Sequence, residues 1–105
     1  MAVDYEATKR IVKNYAENVR RSLPVEKAIL YGSYAKGTAT ELSDIDICFF
    51  LRDFGGKRRV DLVAEMLGLS DDYKGIFFEP VVFLTAEIER GNPFVNEILN
   101  TGVEI

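Results

Sequence analysis

The chain has 105 residues, nearly half of them hydrophobic, and a formal net charge of −4. That size predicts one domain over residues 1–105, long enough to bury a core. The acidic balance disfavours a broad nucleic-acid surface, which needs an excess of Lys and Arg. The complete absence of histidine excludes His-dependent triads and zinc sites, leaving carboxylates, hydroxyls, lysine or a metal to do any catalysis.

No stretch has the length of a membrane span. The opening MAVDYEATKR lacks the apolar segment of a secretory signal. The lone Cys48 has no disulfide partner, which predicts a reducing, cytoplasmic setting.

In chain order, Ile11, Tyr15 and Val19, with Val12, Ala16 and Leu23, recur at helical spacing and predict a first helix from Asp4 to about Leu23. Asp4 can cap it, and Pro24 ends it by disfavouring the α conformation at Leu23. The apolar run Lys27–Tyr31 suits a buried strand ending at Gly32. Ile45–Leu51 is a second strand, with Ile45, Ile47, Phe49 and Leu51 on one face and Asp44, Asp46, Cys48 and Phe50 on the other. A turn at Asp53–Gly56 leads to a second helix over about Lys57–Leu69, whose expected inward stripe is Val60, Val63 and Leu67, with Leu62, Met66 and Leu69 beside it. Ile76–Phe83 reads as a third strand, with Pro80 implying a free edge or bulge. Asn92-Pro93 begins a last helix that points Phe94, Val95, Ile98 and Leu99 inward, Gly102 stops it, and Val103–Ile105 forms a short final strand.

This order predicts an α/β (α+β) fold: a small mixed β-sheet with helices packed on it. The link between the first two strands is too short for a comfortable parallel crossover, so that pair is expected to be antiparallel.

The link itself, GSYAKGTATELSDID over residues 32–46, carries the chemistry. Asp44 and Asp46 point to one side of a strand with Cα atoms roughly 6.5–7 Å apart. Two ionised carboxylates about 4 Å apart repel by roughly 4 kcal/mol at an effective dielectric near 20, so the pair calls for a cation or a shared proton. All-oxygen ligation points to magnesium or manganese. Gly32 lets the backbone approach a bulky anion, Ser33 and the amides after it suit phosphate oxygens, Lys36 adds a positive charge, and Gly37 turns the chain back.

This pattern of an apolar strand, Gly-Ser, about ten residues and Asp-x-Asp in a second apolar strand resembles the polymerase-β-like nucleotidyltransferases, in particular their minimal (MNT-type) branch. It is carried here by Ile29-Leu30-Tyr31-Gly32-Ser33 and Ser43-Asp44-Ile45-Asp46-Ile47, with Ala35-Lys36-Gly37 resembling the Ala-Arg-Gly common between them. The resemblance implies that Gly32, Ser33, Lys36 and Gly37 bind the triphosphate of an NTP, with ATP favoured. It implies that Asp44 and Asp46 hold Mg2+, two ions in the fullest form and Mn2+ as a substitute, and that a third carboxylate completes the site. Glu79 is the candidate; its second reading is an exposed edge residue beside Pro80. Lys36 departs from the family's frequent arginine, keeping charge but losing bidentate geometry.

The implied reaction moves a nucleoside monophosphate, most simply AMP from ATP, to a hydroxyl and releases pyrophosphate. The resemblance also implies a helical partner of the HEPN type in a toxin–antitoxin-like pair. The competing function is a non-catalytic nucleotide-binding antitoxin that neutralises its partner by contact alone; a homodimer through the Pro80 edge is a further expectation. Lys57-Arg58-Arg59 reads as a solvated loop end, Cys48 as core, and Tyr31 and Tyr34 as packing residues that could alternatively stack on a base.

Overall fold

The computed structural model describes residues 3–105; Met1 and Ala2, at the head of the stretch read for a secretory signal, lie outside them. Helix α1 (Tyr5–Ser22) begins where Asp4 Oδ1 accepts the Ala7 N–H at 3.0 Å and ends at an extended Leu23 just before Pro24. Its buried residues, Val12, Tyr15, Ala16 and Val19, follow the predicted spacing. Strand β1 (Val25–Tyr31) starts two residues earlier than expected, while β2 spans Ile45–Leu51 as read. Between them lies a single helical turn, α2 (Ser33–Lys36).

The crossover helix α3 (Arg59–Gly68) leads to β3 (Phe78–Leu84). After a 3-10 segment, Thr85–Arg90, which the sequence reading did not anticipate, come α4 (Pro93–Thr101) and β4 (Val103–Glu104). The sheet order is β3-β2-β1-β4. β1 is antiparallel to both β2 and β4, and β2 is parallel to β3. The mixed sheet and its antiparallel first pair are therefore as expected. The parallel pair is the one joined through a helix, as its geometry requires.

One face of the sheet is covered by α1 and α3. There Ala28, Leu30, Ile45, Ile47, Phe49, Leu51, Phe78 and Val82 pack against Val12, Tyr15, Leu62 and Met66. Tyr15 ties three elements together: its ring stacks on Phe78 with centroids 4.0 Å apart, and its hydroxyl donates to the Met66 carbonyl at 2.7 Å. The opposite face carries a smaller cluster of Ile29, Cys48 and Phe50 under Val95 and Ile98 of α4.

Two expected stripes need correction. In α3 the buried residues are Leu62 and Met66, whereas Val60 is 61% and Leu67 42% exposed. Apolar residues populate more than one stripe of this short helix, and the three-layer packing selects the one containing Leu62 and Met66. In α4 Val95 and Ile98 are buried as expected, but Phe94 is 46% exposed.

The basic triplet is also more engaged than a solvated loop end. Lys57 pairs with Glu65 at 3.2 Å, and Asp61 accepts from both the backbone and the guanidinium of Arg58. Arg59 donates to the Val82 carbonyl at 2.9 Å and lies over the Phe83 ring. In the parallel ladder Phe77 faces β2, through its carbonyl to the Ile45 N–H, so alternation turns Pro80 and Val82 outward. The missing donor of Pro80 thus falls on the free side of an edge strand, and Arg59 covers an acceptor there.

Candidate active site

The backbone of β1 leaves the sheet at Gly32 with φ +71° and ψ −150°, a conformation that L side chains avoid. The space is closed as well, because a Cβ at residue 32 would collide with Asp46 Oδ2. Glycine is thus needed both for the turn and for the close approach to a carboxylate. The α2 turn follows at once, with the Lys36 N–H donating to the Gly32 carbonyl at 3.1 Å. Gly37 ends it in the left-handed region at φ +75°. The chain returns through a turn in which the Thr40 N–H donates to Ser43 Oγ at 2.9 Å and the Ser43 N–H to the Thr40 carbonyl at 3.0 Å.

Asp44 stands exposed immediately before β2, and Asp46 is half-buried within it. In the ladders Asp46 lies between Tyr31 of β1 and Glu79 of β3. Glu79 is exposed, as its edge reading expected, and it is also the direct ladder neighbour of Asp46. The Glu79 carboxyl is held above its ordinary pKa first by a side-chain hydrogen bond with Asp46, then by the Asp46 charge, with Asp44 contributing in both ways. Asp46 is also raised, chiefly by burial and further by the charge of Asp44, while its hydrogen bond with Glu79 acts in the opposite direction. Both carboxyls are thus pushed up, Asp46 chiefly by burial and Glu79 chiefly by its closeness to Asp46, with Asp44 adding to each.

Gly32, Asp44, Asp46 and Glu79 thus meet at one end of the sheet, on the α4 face, with Ser33 next to Gly32. Lys36 is exposed at the far end of α2. Gly37 borders a cavity of about 290 Å³ lined also by Tyr5, Lys9, Leu30, Tyr34 and Val103. Leu30 belongs to the α1 face, so this cavity lies behind the loop and none of the three carboxylates lines it.

Among the described residues no three His, Cys, Asp or Glu side chains are spread as a ready-made metal cage. The donor chemistry of Asp46 and Glu79 nonetheless fits a hard divalent cation. All the donors are carboxylate oxygens, and the like charge that helps to raise Asp46 and Glu79 is what a cation would neutralise.

Two aromatic residues neighbour the site: Tyr31, which the sequence offers as a packing residue that could alternatively stack on a base, and Phe94, which it expects to point inward. Tyr31 faces the carboxylates, and its hydroxyl is pushed up to about 12 by burial, then by Asp46, Cys48 and Glu79. Its ring meets Phe94 edge-on, with centroids 6.0 Å apart. The strand alternation that places Asp46 and Cys48 together also places Tyr31 on their face once the antiparallel register is known. Phe94 carried no comparable signal. Cys48 is core, as expected, with burial raising its thiol to about 12.

Gly32 thus lies against the Asp46 carboxylate, with Asp44 just ahead of the same strand. The nucleotidyltransferase-domain family matches residues 12–98, most of the chain. The chain belongs to that family. This nucleotidyltransferase is 26% identical over 100 residues to a Methanocaldococcus jannaschii protein named "putative protein adenylyltransferase", the match covering 90% of this chain and 95% of that one. A Sulfolobus solfataricus crystal structure described as "a putative nucleotidyltransferase" matches it with a TM-score of 0.60 at 22% identity, covering 90% of this chain and 76% of the other. At that identity the likeness is one of fold, and it agrees with the expected polymerase-β-like architecture. The enzyme is a transferase whose domain type takes a nucleoside triphosphate. No helix among the described residues is long and apolar enough to cross a membrane.

Proposed function

We propose that this nucleotidyltransferase moves AMP from ATP onto a hydroxyl and releases pyrophosphate, with Asp44, Asp46 and Glu79 holding Mg2+. The observation that carries the reading is the parallel register that sets Glu79 beside Asp46 under the Gly32 turn.

The backbone at Gly32 and Ser33, free of a Cβ at its first position, receives the phosphates. When bound, the divalent cation neutralises phosphate charge and favours ionisation of the acceptor hydroxyl. Glu79, in its ionised form, takes the proton of that hydroxyl. The acceptor oxygen then bonds to the α-phosphorus as the bond to the β-phosphate bridge breaks. Lys36 supplies a screened charge at the rim of the loop.

The acceptor we favour is a hydroxyl on a polypeptide. The name of the archaeal relative supports that class, and a helical HEPN-type partner in the reducing cytosol is the carrier that the minimal branch suggests.

The test is pyrophosphate release from ATP and Mg2+ by Asp44→Asn, Asp46→Asn and Glu79→Gln, with circular dichroism as the folding control. The two aspartate variants should lose essentially all release, and Glu79→Gln on the order of 10²–10⁴-fold, the usual worth of a positioned acid or base. Undiminished turnover in folded aspartate variants would reject the mechanism. A wild-type chain that binds ATP but never releases pyrophosphate would favour the non-catalytic interaction module.

A further inference from the structure

Phe94 is the second residue of α4, and its position there is fixed. Pro93 precedes it in the first turn, and Asn92 Oδ1 accepts the Phe94 N–H at 2.9 Å. Its ring is supported by two others. Tyr31 meets it at 86°, with centroids 6.0 Å apart, and Phe83 lies at 54° and 5.9 Å. Despite this support, 46% of the residue remains exposed. The exposure is on the α4 face of the sheet, one ring beyond Tyr31, which itself pairs with Asp46.

The geometry points to Phe94, buttressed by Tyr31 and Phe83, as the platform on which the base of the incoming nucleoside triphosphate stacks. This rests on the carboxylate end being the nucleotide site. Continuity argues for that occupant: phosphates held at Gly32 and Ser33 leave the nucleoside to extend along the same face, past Tyr31. Chemistry argues for it too. An aromatic surface bordered by Asp46 and Glu79 repels a further anion but accepts a neutral planar ring, and stacking on it needs no complementary charge. A half-exposed ring fixed at a capped helix start also loses little side-chain freedom when a ligand covers it.

The test is calorimetric binding of two probes in the presence of Mg2+: α,β-methylene-ATP, which has a base, and inorganic tripolyphosphate, which has none. Phe94→Ala removes the platform, and Phe94→Leu keeps apolar bulk without a π-face, guarding against a packing defect. Both variants should bind the nucleotide roughly tenfold more weakly, within the range for loss of one base–aromatic stack, and bind tripolyphosphate like the wild type. Unchanged nucleotide affinity overturns the inference, as does an equal loss for both probes, which would make Phe94 a general support of the site. If the wild type binds neither probe, the nucleotide site falls together with its platform.

Discussion

The two faces of this sheet are built from the same strands and do opposite work. Under α1 and α3, Ile47, Phe49, Leu51 and Val82 are completely or almost completely buried in one apolar cluster. On the α4 face the middle of β2 is equally dry at Cys48 and Phe50, but its beginning opens onto Asp44, Asp46 and the neighbouring Glu79. Because side chains alternate along a strand, β2 can contribute Ile45, Ile47 and Phe49 to the core while presenting carboxylates one residue out of phase. Stability is concentrated on the first face, leaving the second free to hold groups that repel one another.

The contrast is broken most severely on the covered face. Phe49→Ala should destabilise the fold by about 3–5 kcal/mol, the usual cost of a large-to-small aromatic deletion, as read by urea denaturation. Gly32→Ala comes next. Forcing a Cβ into a positive-φ residue and against Asp46 should cost about 1–3 kcal/mol, and should also reduce ATP binding because the Asp46 carboxylate must move. Tyr15→Phe keeps the ring but strands the Met66 carbonyl, for an expected loss of about 1–2 kcal/mol. A loss no larger than that of an exposed substitution would show that water reaches this carbonyl.

The smallest effect sharpens the comparison on the open face. Asp46 and Glu79 have folded-state pKa values raised above their ordinary values. Their contribution to stability is therefore fully present below the ordinary carboxylate pKa near ~4 and is lost as pH rises through the raised values. In chelator-treated protein the melting temperature should contain a component that falls over this window. Mg2+ should restore it near neutral pH and do little in acid, whereas Glu79→Gln should flatten the dependence. A melting temperature insensitive to both pH and Mg2+ would contradict repulsion among these carboxylates.

Much of this was legible in the sequence because it depends on local geometry. Asp4, Pro24 and Asn92-Pro93 mark helix ends through their own backbone chemistry, and the period of β2 assigns its faces without reference to any neighbour. The Gly32–Asp46 stretch similarly announced a turn and paired carboxylates. The chosen stripe of α3 was less accessible. Val60, Leu62, Val63, Met66 and Leu67 offer overlapping apolar arcs, and their own spacing does not decide which arc meets the sheet. The 3-10 segment Thr85–Arg90 was missed because it has neither an apolar stripe nor a capping signal; its turns are held in part by an Arg90–Glu87 pair at 2.5 Å.

By itself the sequence determined the main helices and strands and their order, and it set Asp44 two residues ahead of Asp46 at the entrance to β2. Tertiary structure alone decided that Glu79, far along the chain, stands opposite Asp46, and that Phe94 borders the same site instead of entering the core. Alternation is a property of one backbone, but register between strands is set by the crossover through α3 and by packing on both faces of the sheet, interactions distributed over the whole chain.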